Sequence, residues 1–248
     1  MKKAIIFLVL FFNYLYANTI NVAVAANISY AIEEIIDNFN KQYPNIELKV
    51  TLGSSGKLTA QIKNGAPYDI FMSANMSYPD ALYNEGIAIS KPKVYGKGSL
   101  ALLSKKQRSF KHNIEVLKSK LVKRIAIANP KTAPYGKATM EVLTNIGILK
   151  DVKRKLIYAE SISSTVSYVM MAADLGIIAK SSLYSKKMKK FKENIHWIEI
   201  DSKLYTPIKQ GIVVLDNAKN NSSAMVFYDF MSSPKAKNIL KKYGYIVK

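Results

Sequence analysis

Two serines stand between two glycines at residues 53–57, GSSGK, and a lysine closes the run. A glycine-rich turn ending in lysine is one way to cradle phosphate, with backbone N–H groups around the anion and an ammonium to neutralise it. The nucleotide-binding form of that turn needs a glycine five residues before its Gly-Lys pair and a Ser or Thr after it to hold magnesium. Here Thr51 stands five before Gly56, and Leu58 follows Lys57, so the spacing speaks against a nucleotide. A serine nucleophile needs a base beside it. No G-x-S-x-G elbow is present, and His112 and His196 fall in no loop that carries a candidate serine. An exported serine hydrolase is therefore only a remote alternative.

Three other stretches place similar groups at similar positions: AANIS (25–29), NPKTAPYG (129–136) and AESISS (159–164). The first offers Asn27 and Ser29, the last Ser161, Ser163 and Ser164. In the third, Pro134 suits the first turn of a helix. Taken singly, each serine or asparagine reads as a helix N-cap, worth about 1 kcal/mol. Taken together, four helix starts with neutral N–H and O–H donors suit one tetrahedral oxyanion, whose charge is met by dipoles rather than by a buried lysine. Lys57 then stands outside the ligand shell. None of the four stretches gathers His, Asp or Glu to hold a cation.

The elements that position these stretches follow from periodicity. TINVAVAA (19–26) reads as a strand, and from Tyr30 the apolar residues Ile32, Ile35, Ile36, Phe39 and Tyr43 fall at helical spacing. IELKVTL (46–52) alternates as a half-buried strand. A helix through Leu58 and Ile62 is closed by Gly65 and Pro67, and YDIFMSA (68–74) is a third strand. A second set follows: strands over 99–104, 124–130, 155–161 and 176–182, an extended piece over 196–200, and helices over 136–149 and 165–176. TPIKQGIVVL (206–215) then leads to two terminal helices, the second opened by Pro234. Alternating β and α elements imply parallel sheets with right-handed crossovers. Ligands of open α/β sheets sit at the carboxyl ends of the strands, which is where the four stretches lie.

The whole chain sets the class. Its 248 residues, 49% hydrophobic, are enough for one large domain or two small ones. Lys2, Lys3 and the short apolar run 4–12 read as a secretory leader cleaved after Ala17, and that run is too short to span a membrane. With no cysteine there is no disulfide, thiolate metal site or lipid-anchor attachment point. A free periplasmic protein is expected. The formal net charge is +20, but the lysines are dispersed and no aromatic-basic motif accompanies them, so a solvated surface is expected and not a nucleic-acid site.

These stretches carry a resemblance. VAVAANIS with the helix after it, GSSGKLTAQIKNGAPYDIFMSA (53–74), ANPKTAPYG (128–136), AESIS (159–163), ADLGIIA (173–179) and FYDFMSSPKAKNILKKYGY (227–245) resemble, in order, the periplasmic molybdate-binding proteins of bacterial ABC importers. The likeness covers essentially the whole chain after the leader. It implies a two-lobed α/β binding protein, each lobe a mostly parallel sheet flanked by helices, with the ligand between the lobes. Lobe one would be 18–97 plus 208–248 and lobe two 98–207, with crossings near 95–99 and 205–211.

The resemblance also implies a ligand set. Asn27 and Ser55 would donate from side chains, Tyr135 and Ile162 from backbone N–H groups, all to the oxygens of molybdate or tungstate with no direct protein–metal bond. Many members have Ser at the position of Asn27 and a Tyr at that of Ala179. A subgroup shares the Asn and the APYG, and the Asn27 amide can supply the donor that Ala179 lacks. No catalytic residue and no cofactor are implied. The expected partner is an inner-membrane permease driven by a cytoplasmic ATPase, and a monomer is expected. Sulfate or phosphate is the alternative ligand.

Overall fold

A computed structural model describes residues 18–247; the leader read over 1–17 lies outside them. The chain builds β1 (Asn18–Ala25), α1 (Ile32–Gln42), β2 (Ile46–Gly53), α2 (Ser55–Lys63), β3 (Ile70–Ser73), α3 (Ser77–Asn84), β4 (Lys93–Gly98) and β5 (Leu100–Leu103). It continues through β6 (Ile125–Ala128), α4 (Pro134–Asn145), α5 (Leu149–Val152), β7 (Leu156–Ala159), α6 (Ile162–Met171), β8 (Leu175–Ala179), β9 (Trp197–Glu199), β10 (Ile208–Val214), α7 (Ser222–Phe230) and α8 (Pro234–Lys242).

These strands form two five-stranded sheets, ordered β2-β1-β3-β10-β4 and β7-β6-β8-β5-β9. Each sheet has three parallel neighbours, then one reversed strand, then an edge strand. In both, the reversed strand (β10 or β5) is the one that arrives from the other sheet. The two lobes thus share one topology, mostly parallel in direction. Among the described residues no helix is long and apolar enough to cross a membrane.

Several elements differ from the sequence expectation, each for a local reason. The helix expected over 136–149 is two helices, because Gly147 turns left-handed at φ 76° and ends the first. α6 starts at Ile162, not at Thr165, because the Ser161 hydroxyl caps it by accepting from the Ser164 N–H at 3.2 Å. The strand expected over 176–182 stops at Ala179, where residues Lys180–Tyr184 turn into a 3-10 helix. α3 and β4 had no counterpart in the pattern.

Aromatic and aliphatic side chains fill a core on each face of both sheets. In lobe one, Phe39 of α1 meets Phe227 and Phe230 of α7 edge-on, with ring centroids 5.1 and 5.2 Å apart, the preferred geometry for such pairs. In lobe two, β5, β6 and β8 are buried along their lengths, as strands covered on both faces should be. This second core reaches across to Ala25 and Ala74 of lobe one, so apolar contact is continuous where the lobes meet. The connecting strands also pair with each other: Ile208 opposes Gly98, Lys209 opposes Lys97, and a bulge follows at Gln210/Gly211.

Candidate ligand-binding cleft

At the carboxyl ends of the strands, both lobes close over a small cavity of at most about 190 Å³. Lobe one lines it with Ala25, Ala26 and Asn27 after β1, Gly53, Ser54 and Ser55 at the β2–α2 turn, and Ala74 after β3. Lobe two contributes Ala133, Pro134 and Tyr135 at the start of α4 and Ile162 at the start of α6. All four residues singled out from the sequence, Asn27, Ser55, Tyr135 and Ile162, meet at this one cavity. No lining residue is charged. Even with the open solvent at its mouth counted, the volume lies below the roughly 300–1,000 Å³ typical of sites for drug-sized molecules, which leaves room for nothing larger than a small ion.

The two lobes bring different chemistry. Ser55 is 1% exposed, and its Oγ accepts from the Ala74 N–H at 3.0 Å, which leaves the hydroxyl proton unspent and the side chain oriented. Asn27 is equally buried; its Nδ2 lies 3.4 Å from the Tyr245 hydroxyl, and its Oδ1 has no partner. A half-turn of the amide exchanges those two atoms and presents N–H₂ where Oδ1 stands.

From lobe two, Tyr135 and Ile162 stand in the first turns of their helices, where N–H groups have no intrahelical acceptor. Their side chains point to other duties. Ile162 packs in the lobe-two core, and the Tyr135 hydroxyl accepts from Gln210 Nε2 at 2.9 Å.

Behind the cavity lies a buried polar cluster that the sequence reading missed. The Tyr245 hydroxyl donates to the Asn27 carbonyl at 2.8 Å, and Ser181 Oγ donates to the same carbonyl at 3.0 Å. Tyr135 and Gln210 complete the cluster at the paired connecting strands. A Cβ on Gly98 would fall 1.9 Å from the Tyr135 hydroxyl oxygen, so only glycine admits this phenol. Burial pushes the phenols of Tyr95 and Tyr135 well above the ordinary tyrosine value, and that of Tyr245 up to about 12. These groups therefore stay neutral. The available signal was strand alternation: in β10, Gln210 falls on the same buried face as Ile208 and Ile212.

Ala179, which the resemblance aligns with a ligand tyrosine, does not line the cavity. It is buried in the lobe-two core. Lys57 also lies outside; its Nζ sits 2.6 Å from Glu160 Oε1 across the lobes, with both side chains more than half exposed. Next to it, the Gly56 N–H donates to the Thr132 carbonyl at 2.9 Å, and a Cβ on Gly56 would fall 3.0 Å from that oxygen and 2.8 Å from the Tyr78 hydroxyl oxygen. Gly56 is what lets the two lobes approach. Among the described residues no cluster of His, Asp or Glu could hold a metal.

Comparison with known proteins agrees with this architecture. A family model for bacterial extracellular solute-binding proteins matches residues 20–246. The molybdate-binding protein ModA of Azotobacter vinelandii is 35% identical over 231 residues, 92% of this chain and 90% of that one. ModA of Rhodobacter capsulatus is 33% identical, covering 93% and 89%. The solved periplasmic molybdate-binding protein of Azotobacter vinelandii superposes with a TM-score of 0.85 over 92% of this chain and 99% of that one, at 32% identity. The sulfate-binding protein SubI of Mycobacterium tuberculosis shares the fold at a TM-score of 0.76 but only 13% identity. The chain belongs to the ModA family of bacterial extracellular solute-binding proteins.

Proposed function

We infer that this protein captures molybdate, and tungstate with it, outside the cytoplasm and delivers it to an ABC permease. The observation that carries the reading is the small, charge-free cavity at which Asn27, Ser55, Tyr135 and Ile162 meet. An oxyanion there takes side-chain donors from lobe one and helix-start N–H groups from lobe two. The starts of α2, α4 and α6 also bring the positive ends of their dipoles to the ligand. The donors stay neutral, so the ion's charge is spread over dipoles and the protein–ligand contact runs through oxygen alone. Binding favours the closed form because the shell is complete only when both lobes contribute.

Further parts of the reading rest on the family and the sequence. The lobes are 18–97 plus 208–248 and 98–207. The protein works as a monomer in the periplasm after removal of a leader ending at Ala17, without a lipid anchor. It docks on a membrane permease powered by a cytoplasmic ATPase. It needs no cofactor and catalyses no reaction.

Sulfate is the nearest rival ligand, and the SubI likeness speaks to fold alone. Phosphate keeps a proton near neutral pH and asks for an acceptor; no carboxylate lines the cavity, and the Asn27 amide can accept only by giving up its donor there. Calorimetric titration with molybdate, tungstate, sulfate and phosphate tests the assignment. Molybdate and tungstate should bind tightly and the other two weakly; tight binding of sulfate with weak molybdate would overturn it. Mass spectrometry of the exported protein should find Asn18 at the N-terminus.

A further inference from the structure

Three α-helices among the described residues start with a serine in the N-cap position and extended backbone: α2 after Ser54, α6 after Ser161 and α8 after Ser233. Two of these serines behave as caps. Ser161 Oγ accepts from the Ser164 N–H and Ser233 Oγ from the Ala236 N–H, each at 3.2 Å. Ser54 does not. Its φ and ψ of −74° and 146° match those of Ser233 at −69° and 156°, yet its hydroxyl makes no bond to α2. The side chain is 4% exposed, and its Oγ is buried with no protein partner. A buried hydroxyl without a partner is unfavourable, and a serine that forgoes an available cap adds to that loss. The same residue lines the closed cavity between the lobes.

We propose that the Ser54 hydroxyl is a further ligand donor, turned away from its own helix to meet an oxygen of the bound oxyanion. The proposal rests on the oxyanion reading of the cavity. Ser54 and Ser55 then act as a pair from consecutive residues. Ser55 is held by the Ala74 N–H and directs its proton to the ligand, and Ser54 supplies a second hydroxyl from the turn before it. The pair presents two hydroxyls to the cavity from one turn. It also explains why the turn carries two serines where one cap would serve. The Ser54 hydroxyl has no protein partner, and the ligand supplies the acceptor.

Calorimetry with sodium molybdate on wild type, Ser54→Ala and Ser233→Ala, with thermal melts of each unliganded protein, tests this. Ser54→Ala should bind molybdate at least tenfold more weakly while its unliganded melting temperature stays level or rises. Ser233→Ala should show the opposite pattern, a lower melting temperature and unchanged affinity, as loss of an ordinary cap demands. Ser54→Ala with wild-type affinity would overturn the proposal. So would an affinity loss accompanied by a lower unliganded melting temperature, because Ser54 would then be a cap. If wild type itself fails to bind molybdate, the oxyanion reading falls first and the proposal with it.

Discussion

Lobe one and lobe two reach the same cavity with different parts of the chain. Lobe one offers side chains: the Asn27 amide and the hydroxyls of Ser54 and Ser55. Lobe two offers helix starts, and the side chains of its two contact residues are committed elsewhere, Tyr135 to Gln210 and Ile162 to the core. The difference teaches where ligand preference is open to change. Side-chain donors are lost by a single truncation. Backbone donors survive every substitution except proline, so the chain can vary the residue there as long as the helix starts in place.

The sharpest break in that contrast comes at Ile162. It is the first residue of α6, where proline is tolerated, and Ser161 before it is already extended at φ −139° and ψ 168°. Ile162→Pro removes the N–H and keeps the helix. A hydrogen bond to a charged group is worth about 1.5–3 kcal/mol, so molybdate affinity should fall roughly 10- to 150-fold. Ile162→Ala truncates the same buried side chain but keeps the N–H, and should lose far less. Equal losses in the two variants by calorimetry would mean that packing at Ile162, and not its N–H, serves the ligand.

The matching break in lobe one is Ser55→Ala, expected to weaken molybdate binding at least tenfold through loss of one oriented hydroxyl. Asn27→Ala should also cost at least tenfold. If Asn27→Ala binds like wild type, the residue serves only the cluster around Tyr245, and the lobe-one contribution narrows to the serines.

The parts of this site that were legible share one property: they are local. GSSGK, APYG and AESIS each sit at a strand-to-helix turn, and a helix start exposes donors whatever the rest of the fold does. The β–α alternation was equally readable because apolar spacing repeats within a few residues. What escaped was either locally irregular or long-range. β4, KVYGKG, has two glycines and no clean alternation, and α3 carries Pro79 in its first turn. Tyr245 reaches Asn27 across 218 positions and Gln210 reaches Tyr135 across 75, and no periodicity encodes such meetings. The freedom of the Ser54 hydroxyl is of the same kind. Its sequence says cap, and only the neighbours say otherwise. Ala179, aligned by the resemblance with a ligand tyrosine but read as offering no donor, lies in the core and does not line the cavity.

The cluster behind the cavity gives a pH signature. Tyr245 holds its proton up to about pH 12 when folded because burial disfavours the phenolate, whereas an exposed tyrosine releases it near 10. Below pH 10 both states are protonated and the full stability is present. Between 10 and 12 unfolding releases a proton, so stability falls as pH rises, by about 1.4 kcal/mol per pH unit for this one group. Tyr95 and Tyr135 shift in the same direction and steepen the fall. Urea denaturation at a series of alkaline pH values should show it, and Tyr245→Phe should flatten the slope. An unchanged slope in that variant would place the alkaline transition outside the cluster.

The smallest effect is expected at Lys57, the one residue of GSSGK that the phosphate-cradle reading would have ranked first. Its ammonium faces Glu160 across the lobes, and with both partners more than half exposed the pair is screened by water and salt. Exposed pairs contribute about 0.2–1 kcal/mol, so Lys57→Ala should weaken molybdate binding less than about fivefold. What it removes is a rim contact of the closed form, not a ligand contact. The loss should therefore shrink as salt is raised, and Glu160→Gln should reproduce it. Ser55→Ala should keep its full effect at high salt, because a buried hydroxyl is screened far less than an exposed charge. If Lys57→Ala instead costs more than Ser55→Ala, the anion is held by charge. The contrast between side-chain donors in lobe one and backbone donors in lobe two would then be secondary to a lysine at the rim.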